Sequence, residues 1–86
     1  MKSETALRQR IIEILTEIAP EVDPAVVRDD VQFRKQFIFD SVDFLNFADR
    51  LQSEFGLSIP EIDYPMLATL NGCLDYLSAK RPPDAS

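Results

Sequence analysis

Residues 40–56 repeat their apolar side chains at a single period. Phe44, Phe47, Ala48, Leu51 and Phe55 fall on one arc at 3.6 residues per turn, with Leu45 beside it. Asp43, Asn46, Asp49, Arg50, Ser53 and Glu54 lie around the opposite side. The alternation of a strand cannot produce that spacing, so the segment is a helix buried along one face. Gly56 supplies the left-handed stop that helix ends favour. Val42 breaks the division, because it projects onto the polar side beside Asn46 and Asp49.

The other elements follow by the same reading. Residues 3–19 form a first helix, with Ser3 or Thr5 as its cap, Leu7, Ile11, Ile14, Leu15 and Ile18 at helical spacing, and Pro20 as its stop. Residues 20–39 lose periodicity, and Val26, Val27, Val31, Phe33 and Phe37 suggest a long structureless loop pinned to the core by apolar side chains. A connection of that length in a compact domain points to function. Residues 61–66 are interrupted by Pro65 and allow about one turn of helix. Thr69 caps a last helix carrying Leu70, Cys73, Leu74 and Leu77, closed by Lys80-Arg81-Pro82-Pro83. No strand pattern and no repeat is present. The expectation is an all-α fold, a small three- to four-helix bundle with a long loop between helices one and two. It occupies residues 1–81, and residues 82–86 form a short flexible tail.

Eighty-six residues give one modest core and no room for a deep enclosed active site. Hydrophobic residues are 45% and charged residues 28%, the composition of a folded globular chain. A formal charge of -6 argues against nucleic-acid binding and suits basic patches on partner proteins. Without histidine the chain cannot build a Ser-His-Asp triad, a Cys-His pair or a histidine metal site. Its single cysteine, Cys73, allows no internal disulfide and reads as a small buried apolar residue. No apolar run is long enough to span a bilayer, and Met1-Lys2-Ser3-Glu4 does not begin a signal peptide. These features predict a soluble cytoplasmic monomer that neither binds nucleic acid nor enters a membrane.

Asp40, Ser41 and Asp43 interrupt the run Phe37-Ile-Phe-Asp-Ser-Val-Asp-Phe44. Helix capping explains part of this, with Asp40 or Ser41 accepting from first-turn amides and Asp43 lying at the positive end of the helix dipole. A nucleophilic Ser41 would need a base that this helix lacks. Asp40 and Asp43 as a catalytic carboxylate pair would need an enclosed pocket. A calcium loop starting at Asp29 fails, because Val31 and Phe33 stand where oxygen ligands are required. A modified Ser41 needs only an exposed hydroxyl at a rigid helix start, with base and metal brought by another enzyme.

The run "DSVDFLNFADRLQSEFGLSIP" followed by "TLNGCLDYL" resembles the acyl carrier proteins, whose hallmark is Asp-Ser-Leu at the start of the second helix. Phe55-Gly56, Ile59-Pro60, Thr69-Leu70 and Asp75-Tyr76 lie at that family's spacings from the serine. The resemblance implies an acyl-carrier-type bundle with 4′-phosphopantetheine, taken from coenzyme A, esterified to Ser41 and carrying acyl groups as thioesters. It implies a non-catalytic chain with no metal of its own. Its partners would be a phosphopantetheinyl transferase, an acyl-activating ligase or acyltransferase, and a ketosynthase or other acyl-processing enzyme. Asp40, Val42, Asp43, Asn46, Asp49, Arg50 and Glu54 would form the recognition face. Aminoacyl and peptidyl carriers share the fold and the serine, and the pI of about 4.4 leans towards acyl cargo. From another class, an unmodified helical interaction domain with Ser41 as a cap is the alternative.

Two departures from the family pattern stand out. Phe37, Ile38 and Phe39 replace the usual Leu-Gly-x, and a β-branched residue in place of glycine predicts a stiffer or differently shaped approach to Ser41, while Val42 stands where leucine is typical. The exposed face of the second helix contains Asn46, Arg50, Gln52 and Ser53 where carriers of fatty-acid synthesis are strongly acidic. That composition predicts a specialised carrier for a dedicated lipid or secondary-metabolite pathway.

Overall fold

A computed structural model describes residues 4–80. All of its regular structure is helical. Helix α1 spans Glu4–Ile18, the single-turn helix α2 spans Phe33–Gln36, α3 spans Ser41–Phe55 and α4 spans Leu70–Lys80. Two 3-10 segments, Pro24–Val26 and Glu61–Leu67, complete the chain. Helix α1 packs against both α3 and α4, and α4 packs against the second 3-10 segment. Serving two neighbours requires a wide apolar stripe, so Ile12 is buried along with the expected Ile11, Ile14 and Leu15. Phe47, Ala48 and Leu51 of α3 and Leu70, Cys73 and Leu77 of α4 fill the space opposite, each fully buried. No described helix is long and apolar enough to cross a membrane.

Several local expectations need correction. Thr5 lies inside α1 and is not its cap, whereas Ser3 and the 82–86 tail lie outside the described residues. The connection between α1 and α3 is not structureless, because it contains a 3-10 turn capped by Asp23 and the helical turn α2. Residues 61–67 form two turns rather than one, in the 3-10 geometry of three residues per turn, with Pro65 inside. Thr69 does cap α4, its Oγ1 accepting from the Gly72 amide at 2.9 Å. A Cβ on Gly72 would lie 2.1 Å from the Met66 carbonyl oxygen, so glycine permits the close approach of α4 to the second 3-10 segment.

Polar side chains organise the connection. Gln36 Oε1 accepts from the Arg28 amide at 2.7 Å, and its Nε2 donates to the carbonyls of Arg28 at 2.8 Å and Val31 at 2.7 Å. The carboxylate of Asp29 takes two bonds from Arg8 of α1, at 2.7 and 3.0 Å, while its carbonyl accepts from the Asn71 amide of α4 at 2.9 Å. The Phe33 amide donates to the Ala68 carbonyl at 2.9 Å. The connection is therefore fastened to three elements, with Phe33 fully buried at its end.

Phe33 meets the rings of Phe37, Phe39 and Phe47 at 5.9, 5.7 and 5.5 Å. Truncating such a side chain removes its burial and leaves a cavity. Phe33→Ala should cost about 3–5 kcal/mol, a large share of the stability of a small domain, as read by urea unfolding at neutral pH.

The Arg8–Asp29 pair gives a pH prediction. Its hydrogen bonds hold the Asp29 carboxyl below its ordinary value. A depressed carboxyl contributes stability above its unfolded pKa of about 3.9, and that contribution is lost as pH falls through the lower folded value. The pair is partly exposed, so its contribution is modest, about 0.2–1 kcal/mol. Arg8→Gln should be slightly less stable than the parent at pH 6, with the gap closing on acidification below pH 4. Thermal unfolding across that range checks this, and a constant gap would refute it.

Candidate functional site

Helix α3 begins with two carboxylates that satisfy each other's backbone. Asp40, the N-cap residue, has extended φ and ψ of -84° and -175°, and its Oδ1 accepts from the Asp43 amide at 2.8 Å. Asp43 Oδ2 accepts in return from the Asp40 amide at 3.4 Å, completing a capping box. Of the two capping candidates, Asp40 does the work. Ser41 is the first helical residue, exposed, and its hydroxyl has no hydrogen-bond partner among the described residues. At the far end Gly56 has φ of +64°, and Gln52 Oε1 accepts from the Ile59 amide at 2.9 Å, fixing the exit of the chain.

A wall of aromatic rings backs the helix start. Phe39, just before Asp40, is buried and meets Phe37, Phe44 and Phe47 at 5.5, 6.3 and 5.9 Å. Phe44 in turn meets Tyr64 at 5.8 Å. Ile38 points outward at 79% exposure, and among the described residues none other than glycine has positive φ. Position 38 thus needs no glycine conformation. The residue after it, Phe39, locks the approach to Ser41 into the core.

Beside Ser41 opens a cleft of about 420 Å³. Phe33, Phe39, Phe44, Leu45, Pro65 and Ala68 give it an apolar lining, and Gln32, Arg34, Asp40 and Ser41 supply its polar atoms. The sequence reading did not find Arg34. Its signal was the Arg34-Lys35 dipeptide, the basic pair just ahead of the serine in an acidic chain.

The seven proposed recognition residues do not share one environment. Asp40, Val42, Asn46 and Asp49 are exposed and Asp43 half-buried, with Val42 at 64% exposure as its position on the wheel predicts. Arg50 and Glu54 instead reach across to α1. Arg50 pairs with Glu17, and Glu54 receives two hydrogen bonds of 2.8 Å from Arg10, which also binds Glu13. Those bonds hold the Glu54 carboxyl below, and the Arg10 guanidinium above, their ordinary values. On α4, Tyr76 donates to Asp63 Oδ2 at 2.6 Å, and its burial together with that bond pushes its phenol up to about 12. Burial alone pushes up the thiol of Cys73, whose Sγ lies 3.4 Å from the Leu67 carbonyl. It is a core residue with no thiolate character.

The arrangement suits a covalently held phosphate ester and its arm. It offers an exposed hydroxyl with no internal hydrogen bond, first-turn geometry that does not depend on that hydroxyl, and an adjoining apolar cleft. The comparisons with known proteins agree. The family model described as "Phosphopantetheine attachment site" matches residues 9–77. The acyl carrier protein of Rubrobacter xylanophilus is 27% identical over 81% of this chain and 90% of its own. Polyketide-8 synthase acyl carrier protein 2 of Streptomyces avermitilis is 29% identical over 88% of this chain and 87% of its own. The chain belongs to the phosphopantetheine attachment site family and is a carrier protein whose cofactor is covalently attached 4′-phosphopantetheine.

Proposed function

We propose that the chain is an acyl carrier in which Ser41 Oγ holds phosphopantetheine as a phosphate ester. The thiol at the end of the arm supplies the thioester chemistry. The observation that supports this most is the division of labour in the first turn of α3. Asp40 and Asp43 hold the helix end, so Ser41 keeps its hydroxyl for reaction beside an apolar cleft. Both relatives named above are acyl carriers. Among the described residues none accepts a hydrogen bond from the Ser41 hydroxyl, so its proton passes to the partner transferase, which brings coenzyme A and a divalent metal. Loading and use of the acyl group fall to a ligase or acyltransferase and to a ketosynthase or similar enzyme, in the cytoplasm.

Docking to these partners rests on Asp40, Val42, Asp43, Asn46 and Asp49, which flank Ser41 or follow it along the outward side of α3. Arg50 and Glu54 contribute by fixing α3 on α1, since their charges are already matched there. Co-expression with a broad-specificity transferase should raise the intact mass by about 340 Da, and Ser41→Ala should abolish the gain while keeping the helical spectrum. An unmodified parent, under conditions that load a control carrier, would overturn the assignment.

The mixed outward face of α3 supports a specialised carrier. With Asn46 and Ser53 uncharged and Arg50 and Glu54 paired, long-range attraction to basic enzyme surfaces is weaker than on a uniformly acidic helix. Similarity to a polyketide synthase carrier fits that reading. Housekeeping fatty-acid enzymes should use this carrier with kcat/KM roughly tenfold below that for their own. Equal values would refute the specialisation.

A further inference from the structure

The cleft beside Ser41 contains a charge for which the attachment reading has no use. Arg8 pairs with Asp29, Arg10 with Glu13 and Glu54, and Arg50 with Glu17. Arg34, exposed on α2, has no carboxylate partner among the described residues, and its Nε donates to Gln32 Oε1 at 3.3 Å. Arg34 and Ser41 line the same cleft, together with the apolar Phe39, Phe44, Leu45 and Pro65. An unpaired guanidinium beside an apolar floor is the pattern of a site for a ligand with one anionic and one hydrocarbon end.

We propose that Arg34 is a positioning residue for the arm. Its guanidinium serves as counter-ion to the phosphodiester on Ser41, while the apolar floor receives the branched hydrocarbon part of the pantetheine. The proposal rests on Ser41 being the attachment point. A phosphodiester there adds a negative charge next to the carboxylates of Asp40 and Asp43, and Arg34 is the cation that the cleft offers against that repulsion. The planar fork of a guanidinium binds phosphate oxygens two at a time, which gives direction as well as charge. Because Ser41 itself lines the cleft, the atoms nearest the phosphate are the ones within reach of it, and the acyl cargo at the far end of the arm does not need it. Tethering sets an effective concentration on the order of mM, so even a weak contact is populated. The contact must also be weak, because the arm has to leave for the active sites of partner enzymes. An exposed, salt-screened ion pair has that property.

The test uses the holo protein with a free thiol, its loading first confirmed by intact mass. In NMR spectra the geminal methyl protons of the arm should lie upfield of those in free phosphopantetheine, with cross-peaks to the rings of Phe39 and Phe44. The phosphorus resonance should move between low salt and about 1 M salt, where the screening length is about 3 Å. Arg34→Gln should lose both the upfield shift and the salt response, Arg34→Lys should keep part of each, and Lys35→Gln should match the parent. Amide spectra of the helices show whether each variant is folded, and the measurement on the parent stands without them. Methyl shifts equal to those of the free compound in the fully loaded parent would overturn this proposal and leave the Ser41 assignment intact. A folded Arg34→Gln identical to the parent would do the same. So would an Arg34 effect seen only after the thiol is loaded with a succinyl group, because the guanidinium would then be reading a carboxylated cargo. Absence of the mass gain removes the Ser41 assignment and this proposal together.

Discussion

The first turn of α3 has to satisfy backbone amides and still leave a serine hydroxyl free, and those demands usually conflict. A serine at a helix N-terminus ordinarily turns back to accept from the second or third amide, which places its oxygen against its own backbone. Here Asp40, one position earlier, accepts from the Asp43 amide at 2.8 Å, and Asp43 returns the contact at 3.4 Å. That reciprocal pair sets the register. It makes Ser41 the first helical residue rather than the cap, so its side chain projects outward from a turn that is already held. A shift by one residue would turn the serine oxygen back into the cap.

A capped turn is only as well placed as the chain that leads into it. Phe39, adjacent to Asp40, sits among Phe33, Phe37, Phe44 and Phe47 with ring centroids 5.5–6.3 Å apart. Edge-to-face contacts of this kind restrict both rings, and Phe33 is itself fastened through its amide to Ala68. The approach to Ser41 is therefore anchored by packing where a glycine would have left it loose. Ile38 can face solvent because its neighbours on both sides supply the anchoring. The side chain that anchors the approach is thus the buried Phe39 and not the exposed, β-branched Ile38.

What was legible in the sequence followed the length of each pattern. Phe47, Ala48 and Leu51 on α3, and Ile11, Ile14 and Leu15 on α1, recur over several turns, so period alone placed them in the core. Pro24–Val26 and Phe33–Gln36 are three and four residues long, too short to show any period. Pro65 limited residues 61–66 to about one turn of helix in the sequence, but the 3-10 geometry observed accommodates it within two turns. At the start of α3, the Asp40 cap and the exposure of Ser41 and Val42 were readable because local spacing determines them. Arg34 was not, since its place beside Ser41 depends on how the connection folds back over Ala68. The partners of Arg50 and Glu54 were missed for a related reason. Glu54 follows Leu51 by three residues and Phe47 by seven, so it borders the apolar arc, and one helix considered alone does not show that α1 runs alongside.

Those two ion pairs also change how the acidity of the chain should be understood. The formal charge of -6 already counts every arginine, and the pairing decides only where the excess lies: Glu13, Glu17, Glu54 and Asp29 sit against Arg8, Arg10 and Arg50 across α1, α3 and the connection. A matched pair acts at a distance as a small dipole and does little steering. Near Ser41 in the chain and the cleft, the charges without an ion-pair partner among the described residues are the carboxylates of Asp40, Asp43 and Asp49 and the guanidinium of Arg34, and Val42 and Leu45 are exposed. Within the acyl-carrier reading, discrimination among partners then falls to close contact with that apolar pair and its immediate charges. Such contact acts mainly on the lifetime of a complex, whereas long-range attraction acts on its rate of formation. A carrier that relied on such contact would select partners by fit to the patch more than by the rate of encounter.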